Sequence, residues 1–439
     1  MKKSIFNIFR KIEEDKDIIF NSQSLAIARI DQDFFEIYNN LENINFNNLN
    51  EKEKETYKAM CECNFIVDNK ADEMKNLEFF RLTAISNSKL FELLIVPTLN
   101  CNFNCSYCYE KNKKGFISKE VQEKIIDLVK FYAEKKTNIN IGWYGGEPLL
   151  AFDIISDLSE KMIDICKKNN VRYFSSMISN GYLLTNSIIK KLEKYDIKTI
   201  QITLDGPPEL HNKRRVLIGS KEGTFDKILE NIKKLKNNNI KLDIRVNVNK
   251  ECSIEKLMQL VTILKKNGLK DDFYISQEFD SNTRACLNEN CLSNKAFGEF
   301  SLNFYKKLHD LGITSLAKKI YFPRYLFNFC GATKFNSLII DPEGYQYKCY
   351  MDIGLPEEAI GNILDNKNYN EEYFNNNVKY MTWSPFNFGK CNQCNLIPIC
   401  LGNCPKIGID KNEPQCIEWK YNIENFIDAV SLCRLEEKN

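Results

Sequence analysis

Leu93-Leu94-Ile95-Val96, followed shortly by Cys101-Asn102-Phe103-Asn104-Cys105-Ser106-Tyr107-Cys108, is the stretch whose reading decides the fold. The first four residues form a continuous apolar run, as expected of a strand covered on both faces. The last eight place three cysteines in a C-x3-C-x2-C array in the loop just beyond that strand. A doubly covered strand asks for helices on both sides of a sheet. Thiols at its C-terminal end ask for a metal at the place where such sheets carry their function.

Downstream the pattern repeats. Further strands are predicted at 139–144, 173–179, 199–204, 242–248 and 273–279. Helices are predicted at 118–135, 154–168, 187–194, 225–237 and 254–266. In the first helix Ile125, Leu128, Val129 and Tyr132 recur at helical spacing; in the fourth, Phe225, Ile228, Leu229, Ile232 and Leu235 share one face. Strict alternation of strands and helices predicts an α/β fold with a parallel sheet and right-handed crossovers. Six strands suit a partial (β/α)6 TIM-like barrel, with an open sheet as the alternative, and functional residues are expected at the C-terminal strand ends in either case.

Composition narrows the class. The chain has 439 residues with 43% hydrophobic and 27% charged residues, ordinary for a globular protein of two or three domains. A formal net charge of +2 gives no global basic field for nucleic acid or an anionic membrane. No apolar run approaches the roughly 18–20 residues that span a bilayer. The basic start, Met1 to Lys11, regains charge before an apolar core forms, so a cytoplasmic protein is expected. The unusual feature is 17 cysteines against 2 histidines. Cytosolic thiols stay reduced, so thiolate metal sites are favoured over disulfides, and zinc or iron–sulfur must be decided by spacing.

The flanks read differently. Residues 1–88 suggest a small α+β domain. It has a hairpin whose apolar stretches 18–20 and 25–28 are split by the turn Asn21-Ser22-Gln23-Ser24, helices at 34–41 and 51–61, and a short strand at 65–67. Residues 89–320 hold the alternating α/β segment. From 321 to 439 apolar periodicity weakens while eight cysteines appear among many Gly, Pro and Asn residues, which asks for metal as the organiser.

Three cysteines within eight residues can wrap one cubane and leave one iron without a protein ligand; a structural zinc would want a fourth ligand nearby, and none is supplied. The array resembles the signature of the radical S-adenosylmethionine (SAM) superfamily, and Tyr107 before its last cysteine strengthens the likeness. The resemblance implies that Cys101, Cys105 and Cys108 bind a [4Fe–4S] cluster and that the open iron chelates SAM. Reductive cleavage would then yield a 5′-deoxyadenosyl radical. It further implies SAM contacts from Tyr107, from Gly145-Gly146-Glu147-Pro148, with Glu147 accepting from the SAM ammonium, and from Asn180 and Thr203 at the next strand ends. Arg215, or Arg245, is a candidate for the SAM carboxylate. His211 and His309 read as structural.

The C-terminal pattern Cys330-x13-Gly344-x4-Cys349, Cys391-x2-Cys394-x5-Cys400-x3-Cys404 and Cys416 resembles the SPASM extension of radical SAM enzymes that modify peptides and proteins. The resemblance implies two further [4Fe–4S] clusters, making three. Cys391, Cys394, Cys400 and Cys416 would hold the outer one; Cys330, Cys349 and Cys404 would hold the inner one, with an open iron unless Cys286 or Cys291 reaches it. The leading expectation is a maturase of ribosomally made peptides that joins a cysteine sulfur to carbon as a thioether, the substrate thiolate held at the inner cluster. The 1–88 domain is expected to hold a leader peptide as an added strand. Formylglycine formation by an anaerobic sulfatase-maturating type, and carbon–carbon cyclisation, are the alternatives. The sulfatase-maturating type typically carries an acidic residue close after the cysteine matching Cys349; here Tyr350 follows, with Asp352 two further on. A zinc-binding adaptor is the remote reading. Expected partners are a precursor peptide and a low-potential donor of flavodoxin or ferredoxin type, with neither nucleic acid nor membrane.

Overall fold

The computed structural model of the protein describes residues 1–11, 17–87, 89–110, 115–220, 222–235, 238–278, 290–313, 330–365 and 370–435, with backbone alone at residues 430 and 432–435. Phe279, Asn237 and Cys286, and most of the loop 277–294, lie outside the described residues. The chain divides into two compact units. One is Met1–Ala84, Asn294–Phe329 and Ser384–Asn439; the other is Ile85–Ser293 and Cys330–Trp383.

The first unit is organised by short strands. β1 (Lys2–Lys3) pairs with β5 (Ile66–Val67), and β2 (Asn7–Arg10), β3 (Ile18–Asn21) and β4 (Ile27–Arg29) form an antiparallel meander. The expected hairpin is its β3–β4 half; the Asn21 side chain accepts from the amides of Gln23 and Ser24 and closes the turn. α1 (Gln32–Asn39) is capped by Asp31, and α2 (Glu51–Glu62) by a reciprocal Asn50–Glu53 capping box. Successive side chains of a strand point to opposite faces. Ile19 of β3 thus joins Phe34, Ile37, Tyr38, Met60, Phe65 and Ile66, while Ile18 and Phe20 join Ile8, Leu396, Ile399 and Ile427. Arg10 ties the same sheet to Asp428 and Glu424. Residues near both termini of the chain therefore share one core.

The second unit contains all six expected strands: β6 (Leu90–Thr98), β8 (Asn138–Gly145), β9 (Tyr173–Ser179), β10 (Ile197–Thr203), β12 (Lys241–Val248) and β13 (Phe273–Gln277). They are parallel, each beside its predecessor. α4 (Lys119–Glu134), α5 (Phe152–Asn169), α6 (Asn186–Lys194), α8 (Phe225–Leu235) and α9 (Ile254–Lys266) connect them. The fold is α/β with a mostly parallel central sheet, consistent with a partial barrel. Phe91, Leu93, Ile95, Ile139, Ile141 and Trp143 are buried, each burial contributing about 1.5–3 kcal/mol. The alternate residues Glu92, Leu94, Asn140, Gly142, Ser176 and Ile178 are half-buried on the other face. One strand was not expected. β14 (Ser337–Ile340) extends the parallel sheet beyond β6 and turns back through β15 (Tyr345–Tyr347) to β16 (Gly361–Asn362). Among the described residues no helix is long and apolar enough to cross a membrane.

Candidate active site

The three thiols of the first array sit at the end of β6. Cys101 lies in the loop, and its sulfur accepts from the Phe103 amide at 3.3 Å. Cys105 ends β7 (Phe103–Cys105), which pairs antiparallel with β11 (Arg215–Leu217) so that Cys105 faces Arg215. The Cys108 amide then donates back to the Cys105 carbonyl. Burial pushes Cys101 up to about 12 and Cys108 up to about 11, and ionising one thiol of the set opposes ionising another. Such thiols give up their protons only to a strong positive charge placed among them.

Tyr107 is the centre of a polar hub beneath these thiols. Its hydroxyl donates to the Asp205 carboxylate and accepts from Arg215 Nη1 at 2.6 Å and Asn247 Nδ2 at 3.1 Å. Asp205, fully buried in the turn after β10, also accepts from the Asn247 amide. Burial alone would raise its carboxyl, but Arg214 and Arg215 outweigh that and hold it below the usual range. Arg214, at the end of α7 (Pro208–Arg214), donates to the Asn247 carbonyl and Glu278 and lies 5.0 Å above the Tyr107 ring. Asp205 and Asn247 were not singled out as a hub in the sequence. The one local signal was a carboxylate placed between an apolar strand and a Gly-Pro turn.

His211 belongs to the same hub and is structural, as expected. Its Nδ1 accepts from the Asp205 amide at 3.2 Å and its Nε2 meets Thr224 Oγ1 at 3.1 Å. Burial, reinforced by Arg215, drives the ring down to about 3. The folded value lies below the unfolded one of about 6.5, so the unfolded chain binds the extra proton between those values. Stability from this group is complete above about pH 6.5 and is lost as pH falls toward 3. Between pH 7 and pH 5 the loss is roughly 2 kcal/mol. Urea unfolding of the native chain and of His211→Asn at the two pH values is expected to show this loss as the difference between their pH slopes, because raised carboxyls such as Asp341 act alike in both.

The strand end Gly145-Gly146-Glu147-Pro148 is locked to the loop and strand beside it. A Cβ on Gly145, whose φ is +124°, would strike the Thr98 carbonyl, and one on Gly146 would strike the Asn100 carbonyl. The glycines thus let β8 close on the loop that carries Cys101. Glu147 is fully buried, and its carboxylate accepts from Leu149 N at 3.0 Å, Ser179 Oγ at 2.8 Å and Asn180 N at 2.7 Å. A carboxylate has about four acceptor positions, and three here are spent on protein. Through these three donors Glu147 braces the ends of β8 and β9, and one acceptor position is left over. Pro148 begins the short turn of helix that follows. Asn180 completes the brace by donating to Asn102 Oδ1 at 2.7 Å, and Thr203 closes β10 with its residue buried. Arg245 is held by Asn247 and Ser276.

The second cysteine system falls in two places. In the first unit Cys391, Cys394, Cys400 and Cys416 line one cavity of about 170 Å³, the four residues grouped from the sequence. Burial, with a smaller push from neighbouring thiols, raises Cys391 and takes Cys400 up to about 11. Cys404 belongs to the same unit and precedes the helix Pro405–Lys411. In the second unit Cys330 and Cys349 flank β14 and β15, and both act electrostatically on Tyr350. Cys291 is buried, and Cys166 and Cys252 are buried packing residues, as expected of the latter two. Cys61 and Cys63 pack at the edge of the first unit's core.

Among the described residues no three Cys, His, Asp or Glu side chains gather closely enough to hold a single metal ion. The fit to a cluster therefore rests on the donors. Three thiols near enough to act on one another electrostatically are donors that iron binds as thiolates, and beside Cys105 the buried Arg215 Nε has no hydrogen-bond partner. Both observations fit an anionic cluster.

Residues 95–261 match the family model described as the Radical SAM superfamily. A curated relative, the "Cysteine-type anaerobic sulfatase-maturating enzyme" of Clostridium novyi (strain NT), is 28% identical over 349 residues, covering 72% of this chain and 88% of that one. Among solved structures, native anSMEcpe with bound AdoMet and Cp18Cys peptide aligns with a TM-score of 0.62 at 21% identity, over 80% of this chain and 98% of that one. Streptococcus suis SuiB bound to precursor peptide SuiA aligns at 0.52 and 15%, over 95% and 98%. At these identities the structural likenesses speak for the fold. The family implies a [4Fe–4S] cluster and SAM as cofactors. Residues 95–261 are a radical SAM domain, and the chain that carries them is an enzyme.

Proposed function

We propose that this enzyme matures a ribosomally made peptide by joining a cysteine sulfur to carbon as a thioether. The observation that carries the choice is at Asp352. An acidic residue close after the cysteine matching Cys349 is what the resemblance asks of a formylglycine-forming enzyme. Tyr350 stands directly after Cys349, and Asp352 is fully buried with its carboxylate accepting from Tyr380 at 2.5 Å. The curated relative from Clostridium novyi favours formylglycine formation as the second reading, and Asp352 in this position argues against it.

Cluster and SAM together supply, when bound, a carbon radical able to take a hydrogen atom from an unactivated carbon. The chain's own residues then have separable tasks in this reading. Cys101, Cys105 and Cys108 hold the cluster, and the Tyr107–Asp205–Arg215–Asn247 hub fixes the loop on which two of them sit. Gly145, Gly146 and the Glu147 brace shape the SAM side, with Asn180, Thr203 and Arg215 as its further contacts. Cys391, Cys394, Cys400 and Cys416 hold an outer auxiliary cluster, and Cys330, Cys349 and Cys404 an inner one. Functionally we divide the chain at 1–88, 89–320 and 321–439.

Peptide substrates are supported by the two structural neighbours, each solved with a bound peptide. The first unit adds a recognition surface. In the β3–β4 ladder the Asn21 amide donates to the Ala26 carbonyl and the Ile30 amide to the Asp17 carbonyl, so Ala28 faces β3. The backbones of Ile27 and Arg29 are then directed to the open edge, as strand addition of a leader requires. Electron supply by a flavodoxin- or ferredoxin-type donor completes the reading.

The test is anaerobic co-expression with a short cysteine-containing peptide encoded beside this chain, followed by high-resolution mass spectrometry. Loss of two hydrogens per modified cysteine, with those thiols no longer alkylatable, is the expected result. A cysteine converted to an aldehyde, or two hydrogens lost with all thiols still alkylatable, would sink the thioether reading.

A further inference from the structure

A cavity of about 260 Å³ opens in the second unit between the half-buried face of β6, β8 and β9 and the residues that flank Cys330 and Cys349. Its charged and polar lining includes Glu92, Asn140, Ser176, Lys334, Lys348 and Tyr350. Lys348 is 5% exposed. Its Nζ donates to the Lys334 carbonyl at 2.7 Å and the Ser337 carbonyl at 2.9 Å. An ammonium has three donors, so one remains, and among the described residues no carboxylate lies within ion-pair reach of it. The other two charges of the cavity cancel. Lys334 Nζ lies 3.0 and 2.8 Å from the two carboxylate oxygens of Glu92. Among the described residues Lys348 is therefore the cation of this cavity that no protein carboxylate neutralises.

A buried cation without a counterion is costly, and the natural remedy is an anion in the adjoining space. Asn140, Ser176 and Tyr350 bring an amide and two hydroxyls to the same cavity, donors suited to the second oxygen of a planar carboxylate. The space does not suit a phosphate dianion, since it offers a single net positive charge and Glu92 would oppose a second negative one.

We propose that this cavity is a carboxylate subsite, which holds an acidic side chain or the C-terminal carboxylate of the substrate peptide against Lys348. As a peptide subsite it rests on the peptide-maturase reading; as a carboxylate site it stands on the cavity alone. Its position beside Cys330 and Cys349 makes Lys348 a specificity determinant, choosing which cysteine of a peptide is presented by the charge near it.

The test uses anaerobically purified holoprotein. In one arm Lys348 is acetylated with acetic anhydride and its occupancy read by mass spectrometry, in the presence of glutarate or of uncharged glutaramide. Glutarate is expected to protect and glutaramide not. In the other arm three fluorescein-labelled hexapeptides are compared by anisotropy. One is an amidated peptide with glutamate after its cysteine, one carries glutamine there instead, and one is the glutamine peptide with a free C-terminus. The glutamate or the free-acid peptide is expected to bind about tenfold tighter than the amidated glutamine peptide, and whichever gains names the source of the carboxylate. K348M should erase that preference and K348R should keep it. Equal protection by glutarate and glutaramide would overturn the proposal, as would a preference that survives K348M. Protection by glutarate with no peptide bound would keep the carboxylate subsite and reject the peptide reading.

Discussion

Replacing Cys105 with alanine is expected to remove about four irons per chain and to end SAM cleavage altogether. Cys105 is buried at the end of β7, directly opposite Arg215, and no other thiol in that strand pair can take its place. Two remaining thiols, Cys101 and Cys108, would have to hold a cluster meant for three. Burial keeps both protonated up to about 12 and about 11, so neither is a strong ligand until the metal is already there. Loss of one ligand therefore undoes the binding of all. Cys400→Ser offers the contrast. It removes a thiol from the cavity lined by Cys391, Cys394, Cys400 and Cys416, so it should also cost about four irons yet leave dithionite-driven formation of 5′-deoxyadenosine measurable. Equal loss of SAM cleavage in both variants would contradict two separate sites.

Asp205→Ala should be the most destabilising single change near the site, by about 3–5 kcal/mol. The carboxylate is fully buried, accepts from Tyr107 and the Asn247 amide, and lies 4.0 Å from Arg215. Its removal leaves Arg214 and Arg215 buried together with one fewer counter-charge. Asp205→Asn keeps one oxygen to accept from the Asn247 amide but loses the charge and the second oxygen that accepts from Tyr107, so about 1–3 kcal/mol is expected. Denaturant titration gives both numbers, and amide exchange across residues 103–108 should rise more than exchange in α4. The acid dependence of the two hub groups also separates. Asp205 is held below the ordinary carboxylate range, so its stabilisation is complete at neutral pH. It is lost only as pH falls through that lowered value. Acid sensitivity between pH 7 and pH 5 belongs to His211 instead.

The six parallel strands were readable because β6 opens on a continuous apolar run and each of the first five was followed by a helix with an apolar stripe. The thiols were readable because cluster ligands must come in short spacings within a loop. Non-local pairing was not readable. β14 is four residues long and earns its place only by pairing with β6, a partner remote in the chain, so no local periodicity marks it. The same holds for the first unit, where Ile18 and Phe20 of β3 share a core with Leu396, Ile399 and Ile427. Glu147 shows the limit at the site itself. Its position after two glycines was legible, but its bonds to Ser179 and Asn180 were not, because only the folded sheet brings those residues near.

The central claim is that one chain holds a SAM-cleaving cluster and a second, separate cysteine system loaded with iron and sulfide. Mössbauer spectroscopy with iron and sulfide analysis on anaerobically purified, iron-57-enriched protein tests it most directly. The account predicts about twelve irons and about twelve sulfides per chain, all in cubane-type signals, falling to about eight in Cys105→Ala. About four irons per chain in the native protein, with zinc at the remaining thiols, would contradict it.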